Sequence, residues 1–199
     1  MVVWDLGNVV IPWDRRRALA RFVDEDDVER VATEVFDMAT NHQLDSGTPL
    51  HDVVADVESR HPGQGWVVEA YVEHFHHSLG PVDVATEALI DELLATGVRC
   101  VALSNWSGVC WRDIPETYPV LTRLDGVVIS GHELVSKPDP EIYRRCESRF
   151  GFTARQALFF DDSVVNVAGA TDVGWDAEVF TGAHSARTSL VTRGLLPGP

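Results

Sequence analysis

From about residue 84 onward, short apolar runs alternate with stretches of helical length, and few folds accommodate that order. The runs at 98–103, 126–130, 157–161 and 176–180 have the length and character of buried strands. Between them, the patterns at about 84–96 and 140–150, and one ending near Gly174, read as helices, and a short helix follows the last strand. A further buried strand opens the chain at 2–11 and runs into a loop. Strands alternating with helices of about 10 to 15 residues predict an α/β protein with a parallel, doubly wound sheet. In such sheets ligands bind beyond the carboxyl ends of the strands, near the point where strand order reverses.

The first third of the chain has a different character. Asp14 is placed to N-cap a helix starting at Arg15, residues 24–27 to start another through Val35, and amphipathic patterns recur at 50–60 and 66–79. A chain of 199 residues holds one substantial core, or one domain carrying a smaller insertion. The expected organisation is therefore an α/β core of residues 1–13 and 84–199, interrupted by a helical insertion at 14–83. The tail at 195–199 is expected to fray.

Charge narrows the partners. A formal net charge of −15 argues against a nucleic-acid surface, which needs a basic stripe. No stretch approaches the roughly 20 apolar residues of a membrane span. The N-terminal run lacks the basic and long apolar regions of a secretion signal, so a cytoplasmic location is expected. Cys100, Cys110 and Cys146 match no metal or CxxC spacing and are expected to be reduced. Oligomeric state is not legible. Lys137 is the only lysine, among 16 basic residues that are otherwise arginine.

The strand-end rule selects a small set of residues: Asp5, Ser104 with Asn105, and Asp161 with Asp162, with Lys137 on the loop after the 126–130 strand. Singly, each reads as a cap, a turn former or a surface charge. Together their chemistry is coherent. A carboxylate such as Asp5 is a nucleophile when donors and a metal offset the charge of an incoming phosphoryl group. Mg²⁺ takes one or two carboxylates plus substrate oxygens, which Asp5 and Asp162 can supply, with Asp161 as a further ligand or supporting acceptor. Ser104 Oγ, the Asn105 N–H and the Lys137 ammonium can hold phosphoryl oxygens.

These residues lie in four segments, WDLGNVV, LSNWS, SKPDPEIY and FFDDSVVN, that resemble the four motifs of the haloacid dehalogenase superfamily. The resemblance spans Asp5 to Asn166. It implies a Rossmann-like core with a small helical cap at 14–83, and a Mg²⁺-dependent phosphatase acting on small phosphate esters through Asp5. The DLGNV form followed by Trp13-Asp14 resembles a branch that includes bacterial glucose 1-phosphate phosphatases. By motif, Asp5 is the nucleophile, Asp5, Asp162 and the Gly7 carbonyl hold Mg²⁺ with Asp161 adjacent, and Ser104, Asn105 and Lys137 bind phosphate.

One position departs from that pattern. Phosphatases of the superfamily usually carry a second Asp two residues after the nucleophile, where this chain has Gly7. That Asp protonates the leaving group, help worth about 10² to 10⁴ in rate. Either the enzyme favours good leaving groups, or Asp14, Asp161 or a residue of the cap substitutes, or the chemistry is different. The alternatives are a metal-independent 2-haloacid dehalogenase, for which a halide-binding arginine would have to come from the cap, and a decayed binding module. Four further features are weighed. The cluster 74–77, with three histidines, reads as a solvated helix end. Arg15, Arg16 and Arg17 are placed to steer phosphate or simply to charge a helical turn. Trp13, Trp106, Trp111 and His42 are candidates to line a pocket. Asn166, one turn beyond Asp162, is a candidate to orient that carboxylate.

Overall fold

The computed structural model describes residues 1–112 and 114–198. Five strands, β1 (Val2–Trp4), β2 (Cys100–Ser104), β3 (Val127–Ile129), β4 (Leu158–Asp161) and β5 (Asp176–Val179), form one parallel sheet. Their order is β3-β2-β1-β4-β5, so the chain steps outward from β1 on one side and then on the other. The strand order therefore reverses at β1 and β4. All five expected strands are present, but the first is shorter than the 2–11 run. It stops at Trp4 because the N–H groups of Val9, Val10 and Ile11 turn back onto the Leu6 carbonyl.

Between β1 and β2 lie α1 (Arg15–Leu19), α2 (Val28–Arg30), α3 (Met38–Asp45), α4 (Leu50–Arg60), α5 (Trp66–His74) and α6 (Val84–Ala95). Beyond β2 come α7 (Ile114–Thr117), α8 (Val120–Arg123), α9 (Ser130–Glu133), α10 (Pro140–Phe150), α11 (Val164–Asp172) and α12 (Ala183–Thr192). The two-residue repeat of a strand sorts its side chains between the sheet's faces. Trp4, Cys100, Ala102 and Phe160 pack with Leu89, Ile90 and Leu93 of α6 and Leu190 of α12. Val3, Val101, Leu103 and Phe159 pack with Ile142, Tyr143 and Cys146 of α10 and Ala170 of α11. At the β5 edge, Arg193 pairs with Asp176 and Glu178, charging a border that would otherwise invite another strand.

The first apolar cluster does not end at the sheet. It continues through Val35, Phe36, Val57, Val68 and Tyr71, so α1–α5 share a core with one face of the sheet. The chain leaves for these helices and returns side by side: the Asp14 N–H meets the Ser78 carbonyl at 2.9 Å and the Gly80 N–H the Pro12 carbonyl at 2.7 Å. Asp14 caps α1 as expected, accepting the Arg16 N–H.

The helical region differs from expectation in three places. The 24–35 helix is split into a 3₁₀ turn (Glu25–Asp27), α2 and a π-turn (Val31–Val35). The 66–79 helix ends at His74 and tightens into a 3₁₀ turn (Phe75–Ser78). Helix α3 was not anticipated, because its sequence MATNHQLD has little apolar periodicity; Asp37 starts it by accepting the Thr40 N–H at 2.8 Å. At the other terminus, Leu196 is buried instead of frayed. No helix among the described residues is long and apolar enough to cross a membrane.

Candidate active site

Asp5 follows the last residue of β1, and its N–H still pairs with the Phe160 carbonyl of β4 at 2.9 Å. That bond fixes the backbone from which its carboxylate meets the ends of the neighbouring strands. Ser104 ends β2 and donates through Oγ to Asp5 Oδ1 at 2.9 Å. Lys137 arrives from the loop between α9 and α10. Its Nζ reaches Asp5 Oδ1 at 2.7 Å, Asp161 Oδ2 at 2.6 Å and the Leu103 carbonyl at 2.9 Å. An ammonium has three donors, and here three acceptors meet them. A planar guanidinium would not match that compact arrangement, which accounts for the one lysine in an arginine-using chain.

The Lys137 backbone is clamped as well. Asn105 accepts its N–H at 2.8 Å and donates to its carbonyl at 2.9 Å. At Gly169 of α11, a Cβ would stand 2.7 Å from the Pro138 carbonyl oxygen, so glycine lets the helix lie against this loop. Asp161 is fully buried and its oxygens are in use: besides Lys137, it accepts the Ser163 N–H at 2.8 Å and the Asn166 amide at 3.1 Å on each oxygen. Asn166 thus orients Asp161 and not Asp162 as anticipated. Ser163 caps α11, and the first turn it sets brings the Asn166 amide to Asp161.

Burial dominates the electrostatics. It pushes Asp5 up to about 7, against the pull of Lys137 and with Asp161 adding to the rise. Burial also opposes the Lys137 charge, but Asp5 and Asp161 outweigh it and hold its pKa above the ordinary lysine value. Asp162 is raised by partial burial and by Asp161, with an Asn8 hydrogen bond opposing.

Asp5, Asp161 and Asp162 each present an oxygen within 4.8 Å of the others, the one such cluster of potential metal ligands among the described residues. One ammonium does not balance three carboxylates, and a hard, oxygen-only donor set suits Mg²⁺. With Asp161 committed to Lys137, Ser163 and Asn166, the carboxylates left to meet a cation are Asp5 and Asp162.

These groups open into a cavity of about 420 Å³. Its floor is the sheet edge, with Asp5, Gly7, Ser104, Asn105, Lys137 and Asp162; its other side comes from Trp13 and from the helical segment, with Met38, Asn41, His42, Asp45 and Phe75. Asp45, at the end of α3, belongs to no motif read from the sequence. It accepts the Asn41 amide at 2.7 Å, and burial pushes its carboxyl up to about 7. The Asn41–Asp45 spacing of one helical turn was its only trace in the sequence, in a stretch not read as a helix.

Residues 2–174 match the profile of a hydrolase family described as haloacid dehalogenase-like hydrolase. The chain belongs to that family. A curated relative is the sesquiterpene phosphatase astK of Aspergillus oryzae, 28% identical over 92 residues. The match covers 46% of this chain and 47% of that protein, so the chain spans about half the length of that relative. Solved structures share the fold. A haloacid dehalogenase-family enzyme of Bacteroides thetaiotaomicron, in complex with magnesium and inorganic phosphate, superposes with a TM-score of 0.68 at 18% identity, covering 89% of this chain and 92% of that one. The L-2-haloacid dehalogenase of Xanthobacter autotrophicus, with chloropropionic acid covalently bound, gives 0.67 at 15% identity, covering 98% and 84%.

In this hydrolase the remaining candidates separate cleanly. Trp13, His42 and Trp106 line the cavity, while Trp111 packs edge-on behind Trp106 at 5.4 Å. No arginine among the described residues lines it: Arg15 bonds Met38 and the Ala32 carbonyl, and Arg16 pairs with Glu29. His74, His76 and His77 straddle the end of α5 and form no metal cluster among the described residues. Asp14 is spent as a helix cap, outside the cavity. The three cysteines are free and buried.

Proposed function

We propose that this hydrolase is a Mg²⁺-dependent phosphatase of small phosphate monoesters, with Asp5 as the nucleophile. One observation carries the reading: a buried carboxylate, Asp5, is held by Lys137 and Ser104 within ligand distance of Asp162. An ammonium beside the nucleophile suits a phosphoryl group, whose negative charge is spread over its equatorial oxygens at the transition state. Asp5, Asp162 and the Gly7 carbonyl would hold Mg²⁺, which when bound supplies charge neutralisation and orients the phosphoryl group.

Within that frame the chain's own residues divide the work. Ser104 Oγ, the Asn105 N–H and Lys137 bind phosphoryl oxygens. Asp161 and Asn166 hold Lys137 in place. The segment 14–83 acts as a cap, contributing Met38, Asn41, His42 and Phe75 around the leaving group. A cavity of about 420 Å³ favours small esters. Its mix of aromatic and amide side chains is compatible with sugar phosphates and with more apolar alcohols, the latter in keeping with a relative named as a sesquiterpene phosphatase. The absence of arginine from the described lining supports phosphate over halide chemistry.

The test is phosphate release from p-nitrophenyl phosphate, sugar phosphates and an isoprenyl phosphate, with Mg²⁺ and with EDTA. Turnover is expected to need Mg²⁺ and to fall by more than about 10³-fold in Asp5→Asn. Halide release from short 2-haloacids without metal, and no phosphate release, would replace this reading with a dehalogenase. Inactivity on both panels, with no stabilisation by Mg²⁺ and beryllofluoride, would mark a binding module.

A further inference from the structure

We propose that Asp45 is the general acid–base of this site, supplying from the helical segment the proton transfer that Gly7 cannot. The proposal rests on the phosphatase reading above. Hydrolysis of an ordinary ester needs a proton for the departing alkoxide, and three of the carboxyl groups near the cavity are otherwise engaged. Asp5 is the nucleophile, Asp161 is saturated by Lys137, Ser163 and Asn166, and Asp162 is reserved for the cation. Asp45 is the carboxyl group that remains in the lining.

Its position is built. The Ser130 hydroxyl, one residue past β3, donates to the Asp45 carbonyl and also accepts the Trp106 N–H at 2.9 Å. The next residue, Ser46, meets Ser136, the neighbour of Lys137, at 3.1 Å. Two hydroxyl contacts thus pin the end of α3 to the start of α9 and to the loop that carries Lys137. The Asn41 amide fixes the carboxyl itself.

The surroundings bring the Asp45 titration close to neutral pH, where both protonation forms are populated. Burial raises the pKa to about 7; the Ser107 N–H and Asn41 oppose, Asp5 adds to the rise and Lys137 opposes it. Of the other titratable groups around it, Tyr71 of α5 and Cys110 after β2 are both pushed upward by burial and stay neutral. His42 shares the helix and the cavity, and is the rival proton donor. An acid whose pKa lies near the working pH can both give and take a proton.

The step balances. As an Asp5 oxygen bonds to phosphorus, the bond to the ester oxygen breaks, and its electron pair takes the Asp45 proton to leave as the alcohol. The Asp45 carboxylate then removes a proton from water, whose oxygen attacks phosphorus. The Asp5–phosphorus bond breaks, Asp5 is restored as a carboxylate and hydrogen phosphate departs. The proton given to the alcohol is recovered from the water.

Leaving-group dependence tests this, because a structural role would slow all esters alike. In Asp45→Asn, kcat/KM for an alkyl phosphate is expected to fall by about 10² to 10⁴. Release of the first p-nitrophenolate from p-nitrophenyl phosphate, a leaving group that needs no proton, should be nearly unchanged. It should appear as a burst of one equivalent per site before slow turnover, since the base for the second step is also gone. Retained stabilisation by Mg²⁺ and beryllofluoride verifies the folded site, and Asp45→Glu should recover part of the alkyl activity. Equal losses on both esters without a burst would overturn the proposal while leaving the phosphatase intact. The same split in His42→Ala and not in Asp45→Asn would assign the role to the imidazole and overturn it too. Wild-type protein with no Asp5-dependent phosphate release would overturn both readings together.

Discussion

The two sides of the cavity treat their carboxyl groups in opposite ways. At the sheet edge, Asp5 and Asp161 are buried around an equally buried ammonium, with distances of 2.7 and 2.6 Å. Across the cavity, Asp45 is half-buried and bonded to a neutral amide, and Lys137 is the cation that acts on it. Burial raises both Asp5 and Asp45, but the first arrangement sets a counter-ion beside the nucleophile. The second bonds its carboxyl to an amide, which leaves it able to exchange a proton. A parallel sheet can build the first because three strand ends converge on one point. The second needs an element that approaches from outside the sheet, which α3 does.

Lys137→Met breaks the comparison most severely, because it turns the paired side into an unpaired one. Asp5 and Asp161 would then face each other without a counter-ion, and breaking a buried pair in this way costs about 3–5 kcal/mol. Urea unfolding should register that loss, together with loss of phosphatase turnover. A change under about 1 kcal/mol would mean that the ammonium is not the element holding these carboxylates together. Asn166→Ala is a gentler cut on the same side. It removes both amide contacts to Asp161, and such supporting groups commonly contribute about 10- to 100-fold in metal affinity or activity. Turnover (kcat/KM) should fall by that amount, and unchanged turnover would remove Asn166 from the site.

Gly7→Asp sharpens the contrast from the other direction. A Cβ at Gly7 meets no atom within 4 Å, so the site has room for the carboxyl that the superfamily usually places there. In an Asp45→Asn background this substitution should restore alkyl phosphate hydrolysis by roughly tenfold or more. Continued Mg²⁺ dependence would indicate that the metal side is undisturbed. Failure to rescue, with Mg²⁺ binding intact, would mean that the two positions do not serve one proton path.

What was legible in the sequence divides along the same line. Strands buried on both faces must be continuously apolar, so β2 and β4 announce themselves, and the polar residues that end them fall into the site with no further information. The solitary Lys137 was readable for a related reason: three convergent acceptors demand an ammonium. Helix α3 left no comparable mark. Met38 is 51% exposed and the helix owes its start to the Asp37 cap, so hydrophobic periodicity passes over it and over Asp45. Asn166 was placed one residue off target, over Asp162 instead of Asp161, because adjacent carboxylates at a strand end can be told apart only by where the Ser163 cap sets the following helix.

A last effect concerns stability and isolates Asp45 without any substrate. Its carboxyl is raised from 3.8 to about 7 by burial, so between those values the folded state holds a proton that the unfolded chain releases. The contribution to stability is therefore fully present below about pH 4 and is lost as pH rises through 7. Asp5 carries a shift of the same sign, so the wild-type curve alone is ambiguous. The difference between wild type and Asp45→Asn is not, because Asp5 contributes to both. Urea unfolding between pH 4.5 and 8 should find the variant gaining on the wild type as pH rises, most steeply between about pH 5 and 7, and levelling off above it. A gap that stays constant across this range would mean that Asp45 is ionised in the folded protein, and the contrast between the two sides of the cavity would then be one of position and not of charge.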